Sequence, residues 1–279
     1  MTGGGSAEPV GLIAAAGRLP VEIAEAARRL GRPVVCVAAV PGDPVLPEIA
    51  DAHYAVSLGE LGAMIAALRR HGVREIVLAG KVDKLAALRD VQFDAQGAAA
   101  ALRLAALGDL RDASILSLLV AVLEEAGFRV ASQTRYIGHL VPAAGVLGGR
   151  ALTADESRDA ALGLRIARGV AALDVGQAVA VGRGVVVAVE AAEGTDAMIR
   201  RSGALVEGIV VVKVSRPLQD PRYDLPVVGP GTIAALAEAR GTALVVEAGR
   251  TILLERDALV AAADAAGIAV SAAETAVAD

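Results

Sequence analysis

Val10–Ala14, Val34–Val40 and Glu75–Ala79 are short apolar runs, and a helical stretch separates each from the next. That alternation restricts the fold more than any other feature of the chain. Strand–helix–strand repeats imply parallel strands joined by right-handed crossovers, a doubly wound sheet. The first helix opens with Pro20 in its first turn, where a missing N–H costs nothing, and stops at Gly31. The second, about Gly59–His71, sets Leu61, Met64, Ile65 and Leu68 at helical spacing. The rest of this half reads as helices at about Ala98–Leu107 and Ser114–Ala126, then a strand at Arg129–Ala131.

Beyond this point the rhythm changes. His139–Arg150 (HLVPAAGVLGGR) carries glycine and proline without periodicity and reads as an interdomain linker. A helix at Ala154–Leu173 then precedes strands Ala178–Val181 and Val185–Val189, joined by the hairpin turn Gly182-Arg183-Gly184. A helix from Thr195, a strand at Gly208–Val214, a long loop to Pro226 and a helix from Gly231 follow. Strands near Leu244–Glu247 and Thr251–Leu254 and a helix at Arg256–Ala266 close the pattern. The expected class is α/β: a Rossmann-like parallel-sheet domain over 1–138, a linker over 139–150 and a mixed α/β catalytic domain over 151–279. Residues 1–9 read as a flexible tail.

Composition narrows the function. Of 279 residues, 55% are hydrophobic but only 2% aromatic, so alanine, valine and leucine must build the cores. A net charge of −5 argues against a general nucleic-acid binder and against docking to anionic lipid by overall charge. Cys36 is the only cysteine, which excludes an intramolecular disulfide and a cysteine-based zinc cluster. The longest apolar stretch, Ile115–Leu123, is far short of the ~20 residues that span a bilayer. The N-terminus lacks the basic start and apolar run of a signal peptide, so the expected location is the cytoplasm.

Three segments could carry chemistry. Gly17-Arg18 and Gly80-Lys81 leave the carboxyl ends of parallel strands, the rim where such sheets bind ligands. A turn feeding a helix N-terminus offers N–H groups to a phosphate, and Arg18 and Lys81 add charge; an ordinary strand–helix turn accounts for the same residues. Glu190–Arg201 (EAAEGTDAMIRR) sets Glu190, Glu193 and Asp196 around Gly194, with Thr195 able to cap the following helix. Capping needs only one of those carboxylates. Lys213–Gly231 (KVSRPLQDPRYDLPVVGPG) places Lys213, Arg216, Asp220, Arg222 and Asp224 in a loop stiffened by prolines. A surface loop with local ion pairs explains some of this. A carboxylate with flanking cations is also what phosphoryl transfer requires, because cations neutralise phosphate oxygens while the carboxylate holds Mg²⁺ or orients water. No histidine spacing suits a metal centre, and neither a Walker loop nor a GxSxG elbow is present.

EGTDAMIRR and PLQDPRYDLPVVGPGTI, with ALDVGQAVAV upstream and GLIAAAGRLP and EIVLAGKV in the first half, closely resemble the LpxI family over nearly the whole chain. The family comprises UDP-2,3-diacylglucosamine pyrophosphatases of lipid A biosynthesis in Gram-negative bacteria. The resemblance implies hydrolysis to UMP and 2,3-diacylglucosamine 1-phosphate (lipid X), with Mg²⁺ or another divalent metal, and substrate held between the two domains. It implies that Asp224 is the essential aspartate, as metal ligand or water-orienting group. Thr195, Asp196, Gln177 and Ala178 are expected to face the substrate, with Lys213 and Arg222 beside them. Gly17, Arg18, Gly80 and Lys81 match the loops that meet the nucleotide or pyrophosphate. Two departures stand out: Ala15-Ala16 replace glycines, and Asp83-Lys84 replace the usual Arg-Pro after AGKV.

Two rivals remain at this stage. A nicotinamide-dependent oxidoreductase would need GxGxxG and a ribose-binding acid about 20 residues on, and the chain has neither. A non-catalytic nucleotide-sugar sensor would bind the same ligand without releasing UMP. The substrate is amphipathic, so peripheral contact with the inner membrane stays open, as does a homodimer.

Overall fold

The computed structural model describes residues 7–82, 91–108, 112–217 and 219–274; Asp83-Lys84 lie outside them. The chain divides into two compact units, Met1–Gly138 and His139–Asp279.

In the first unit, strands β1 (Val10–Ala14), β2 (Val34–Ala38), β3 (Ala52–Ala55), β4 (Glu75–Ala79) and β5 (Arg129–Val130) form one sheet in the order β3-β2-β1-β4-β5. Every pairing is parallel. Its longer helices are α1 (Leu19–Arg29), α3 (Leu61–Arg70), α4 (Ala95–Leu107) and α5 (Asp112–Glu125), with short turns α2 (Leu46–Ile49) and α6 (Thr134–Ile137). The strand order reverses between β1 and β4, and the crevice at such a switch point is where open α/β sheets take ligands. Gly11 lets α3 approach β1, since a Cβ there would stand 2.6 Å from Leu68 Cδ2. Of the expected tail, residues 1–6 lie outside the described residues. The Glu8 and Pro9 carbonyls accept from Arg32 at 2.9 and 3.4 Å.

In the second unit, a six-stranded mixed sheet runs β6-β13-β11-β9-β7-β8. Its strands are β6 (Gly145–Val146), β7 (Ala178–Gly182), β8 (Val185–Val189), β9 (Val210–Lys213), β11 (Ala243–Glu247) and β13 (Ala269–Ala273). Separately, β10 (Val227–Val228) pairs with β12 (Ile252–Leu253). Arg183 and Gly184 both adopt positive φ, 55° and 77°, giving the tight β7–β8 hairpin that the sequence predicts. The segment 139–150 belongs to this unit: β6 pairs antiparallel with β13, and Gly149 N donates to Asp264 at 2.6 Å.

Strand alternation splits this core into two faces. Ala178, Val211, Leu244 and Val246 pack with α8 (Thr195–Gly203), α9 (Pro230–Glu238) and α10 (Arg256–Ala265) through Met198, Ile199, Ile233, Leu236 and Leu259. On the other face Val179, Val181, Val212 and Val245 meet α7 (Ala154–Ala172) through Ala160, Ala167 and Ala171. Small side chains let α7 lie close to the valines. A Cβ on Gly163 would stand 2.5 Å from Val212 Cγ2. That close approach is how a chain so poor in aromatics fills its interior.

The start of α7 carries a full capping box between Thr153 and Glu156. Arg150 grips Glu156 with two bonds of 2.9 and 2.8 Å and also donates to the Thr242 and Gly267 carbonyls. The Arg150 bonds, with help from Thr153 and Thr242, hold the Glu156 carboxyl down at about 2 despite its burial. Cys36 is fully buried in β2, and burial pushes its thiol up to about 12, which makes it a packing residue. Among the described residues, no helix is long and apolar enough to cross a membrane.

Candidate functional site

Each unit presents a rim at the carboxyl ends of its parallel strands. In the first, the chain leaving β1 and the chain leaving β4 lie side by side. Ala16 and Lys81 exchange backbone hydrogen bonds of 3.1 and 2.8 Å, and Ala15 N donates to Ala79 O at 2.8 Å. Gly17-Arg18 and Gly80-Lys81 therefore meet at the switch point. Gly80 is required there: its φ is +106°, and a Cβ would stand 2.6 Å from the Ala15 carbonyl carbon. Lys81 is exposed. Arg18 lies 3.5 Å from Glu25 and 3.7 Å from Asp43, so an arriving phosphate would compete with two carboxylates for it.

The second unit builds its rim from buried charge. β7 runs antiparallel to β9, so the start of β7 and the end of β8 share an edge with the carboxyl end of β9. Glu190, directly after β8, is 7% exposed and turns inward. One of its oxygens accepts from Thr195 Oγ1 at 2.7 Å and the other from Gln177 N at 3.1 Å. Lys213 at the end of β9 is also 7% exposed. Its Nζ donates to Thr195 Oγ1 and to the Val227 carbonyl, both at 3.0 Å. Thr195 thus stands between a buried carboxylate and a buried ammonium. Gly176 makes the geometry possible, because a Cβ there would sit 2.1 Å from the Glu190 carbonyl oxygen. Ala178 is fully buried, and its carbonyl accepts from Glu190 N at 2.9 Å.

Next along the rim, Glu247 closes β11 and accepts from Ser215 through N at 2.7 Å and Oγ at 2.6 Å. These two hydrogen bonds to one oxygen of a buried carboxylate fix the turn that carries the chain into the Pro-rich loop. There the Gln219 side chain accepts from Arg216 N at 2.9 Å and also bonds Asp224. Burial raises the Asp224 pKa, and the nearby charges of Asp174 and Asp220 push the same way. The Gln219 bond and Arg216 oppose them without prevailing. Arg222 is committed to Asp220, with bonds of 2.8 and 3.1 Å, and its guanidinium lies over the Tyr223 ring at 5.6 Å. Asp196 accepts from Thr232 Oγ1 at 3.3 Å.

Of the residues singled out from sequence, Gln177, Thr195 and Lys213 thus share one hydrogen-bonded cluster, while Asp224 and Arg222 share the adjoining loop. Two buried polar atoms here, Gln177 Oε1 and Arg216 Nε, have no hydrogen-bond partner among the described residues. Arg216 Nε lies 3.2 Å from Asp174 Oδ1 but off the line of a hydrogen bond. Buried atoms left in this state are available to a ligand. Sequence reasoning passes over Ser215 and Glu247 and leaves Glu190 among three similar acids. The usable signal was a charged residue ending an apolar strand, VVVAVE and ALVVE. Of the other two acids, Glu193 pairs with Arg201 at 2.7 Å in the open, as a solvated helix face would.

Comparison with known proteins adds three findings. The LpxI N-terminal domain pattern matches residues 9–140 and the LpxI C-terminal domain pattern residues 143–271. A Caulobacter vibrioides protein named UDP-2,3-diacylglucosamine pyrophosphatase LpxI is 34% identical over 271 residues, covering 93% of this chain and 95% of that protein. Among solved structures, glycinamide-RNase-transformylase T from Mycobacterium tuberculosis is 22% identical. That alignment covers 66% of this chain and 44% of that one, with a TM-score of 0.25, too low to bear on the fold or the site.

Proposed function

The chain belongs to the LpxI family, and from that premise we propose that it hydrolyses the pyrophosphate of UDP-2,3-diacylglucosamine to UMP and 2,3-diacylglucosamine 1-phosphate. The observation that carries the reading is the 34% identity, over 93% of the chain, to a relative bearing that activity in its name. In this reading the side chains divide the labour. Water oxygen attacks the phosphorus bonded to the sugar, the bond from that phosphorus to the bridging oxygen breaks, and the bridging oxygen leaves with UMP. Asp224 orients the water and accepts its proton. A carboxylate whose pKa is raised by burial is a better base than an ordinary aspartate. Lys213 and Arg216 supply positive charge for the phosphate oxygens. Gln177 Oε1 is placed to accept from a ligand N–H or O–H.

A divalent cation suits this donor set. Among the described residues, no three His, Cys, Asp or Glu side chains converge into a ready-made cage. Mg²⁺ seldom uses one, taking one or two carboxylates and filling its shell with water and substrate phosphates. Asp224, pressed by the charges of Asp174 and Asp220, is the carboxylate that a cation would relieve; with a cation bound its pKa would fall, and its part would be to hold the cation and orient the water, with no proton accepted. When bound, Mg²⁺ would neutralise charge on the pyrophosphate.

UMP release from UDP-2,3-diacylglucosamine with Mg²⁺, in the wild type and in Asp224→Ala, tests the reading. Release by the wild type and its collapse in the variant, with substrate still bound, is expected. Tight binding without release by either protein would make the chain a sensor, and no binding would overturn the substrate.

A further inference from the structure

Helix α7 stops on a residue that local physics disfavours. Val175 N donates to the Val170 carbonyl at 3.3 Å and Asp174 N to the Ala171 carbonyl at 3.1 Å. That pair of bonds closes a helix through one left-handed residue, a place that glycine fills without strain. Helices α1, α3, α5 and α10 end on the same pair of bonds at Gly31, Gly72, Gly127 and Gly267, all with positive φ. Helix α7 places Asp174 there instead, at φ +56°. Its carboxylate also faces the negative end of the helix dipole. Helix α9 ends on Arg240 at φ +51°, but a cation suits that end, and Arg240 pairs with Glu207 in the open. Asp174 carries both penalties.

The Asp174 carboxylate meets Arg216, with Oδ1 3.2 Å from Nε. A partly exposed ion pair of this kind adds little stability, so stability does not account for the choice of residue. The contact is one of charge alone: Arg216 Nε is buried and has no hydrogen-bond partner among the described residues. On its other side, Arg216 N donates to the Gln219 side chain, which also bonds Asp224. The Arg216 backbone is thus tied to the loop of Asp224, while its guanidinium is drawn toward the end of α7. A buried donor left over on a held guanidinium is available to an anion. Strained backbone of the Asp174 kind persists where the side chain serves a site.

We propose that Asp174 is a positioning residue, holding the Arg216 guanidinium so that Nε–H is delivered to a phosphate oxygen of the substrate. It touches no reacting atom and acts only through Arg216. The assignment rests on the pyrophosphatase reading above, in which Arg216 meets the phosphates, and extends it to a residue outside the Pro-rich loop.

UMP release is measured for the wild type, Asp174→Asn, Asp174→Gly, Arg216→Ala and the double variant Asp174→Asn with Arg216→Ala. Each single variant should lower kcat about 10–10²-fold, the scale for a misplaced group. In the Arg216→Ala background, Asp174→Asn should cost less than about twofold more, because its effect runs through the arginine. Asp174→Gly removes the strain, so its thermal midpoint should hold or rise while its activity falls. The Arg216 Nε–H proton resonance, identified by its loss in Arg216→Lys, should be protected from solvent exchange in the wild type and exposed to it in Asp174→Asn. Full activity in Asp174→Gly would reduce Asp174 to a helix stop and overturn the proposal. So would a falling midpoint in both variants at 174, a further large loss in the double variant, or an unaltered Arg216 resonance. Recovery of Asp174→Asn by raised Mg²⁺ would put the carboxylate on the cation and overturn it as well. No UMP from the wild type would instead overturn the reaction, and the Arg216 resonance alone would then decide the role of Asp174.

Discussion

The two carboxyl rims are made of different material. The first unit's rim is backbone geometry with one open cation: Lys81 lies exposed, Arg18 is half-buried beside Glu25 and Asp43, and Gly17 and Gly80 hold positive φ. The second unit's rim is buried charge: Glu190, Lys213, Ser215 and Glu247 are each 8% exposed or less. Exposed cations cost little to hold and are screened by water, which suits recognition of a phosphate. Buried, hydrogen-bonded charges are expensive to assemble and fixed once assembled, which suits chemistry. Substitutions in the two rims should therefore fail in different ways.

Asp224→Asn should show the largest effect. Turnover is expected to fall about 10²–10⁴-fold, the range for removing a general base. The thermal midpoint should hold or rise. The raised carboxyl binds its proton more tightly in the folded state, so its stabilising contribution is present at low pH and lost as pH rises through its pKa. At neutral pH the ionised group weakens the fold, and asparagine removes that burden. A falling midpoint would mean that the carboxylate is structural.

Lys213→Met comes next. It strips the ammonium from a buried network and leaves Thr195 and the Val227 carbonyl without their donor. A loss of about 3 kcal/mol is expected in urea unfolding. An unchanged urea midpoint would erase the contrast between the rims.

Glu156 supplies a reference for buried charge away from either rim. Its folded pKa, about 2, lies below the unfolded carboxyl value, so its contribution is complete above about pH 4.5 and disappears as pH falls toward 2. That contribution is on the order of 2–3 kcal/mol. Glu156→Gln should flatten this part of the stability–pH curve, and an unaltered curve would show that the Arg150 clamp carries no net energy.

Lys81→Ala should be the mildest. Stability should stay within about 0.5 kcal/mol of wild type, as for exposed sites generally. KM should rise a few-fold with kcat near wild type. A large fall in kcat would place the first rim inside the chemistry.

Much of the fold was legible because local and global signals agreed. β1, β4 and β8 match their apolar runs residue for residue, and Arg183-Gly184 could make only a tight hairpin. Strand β13 (Ala269–Ala273) escaped because AVSAA has an alanine-rich, helix-like composition; its place comes from pairing with β11, a long-range fact. β6 escaped for the same reason, its two residues being strand only because β13 lies beside them. At the site, glycine, proline and charge density picked out the right loops. They could not say which carboxylate of Glu190, Glu193 and Asp196 turns inward, since that depends on the β7–β8 edge and on Gly176. Nor could spacing reveal that Arg222 is held by Asp220.

Tyr223, lying under Arg222 next to Asp224, gives the loop an optical identity. The chain has no tryptophan, and its other two tyrosines, Tyr54 and Tyr136, lie in the first unit. With those two changed to phenylalanine, every photon of tyrosine emission would originate one residue from Asp224. Ligand arrival at that aspartate could then be followed by intrinsic fluorescence, in real time and without an attached dye.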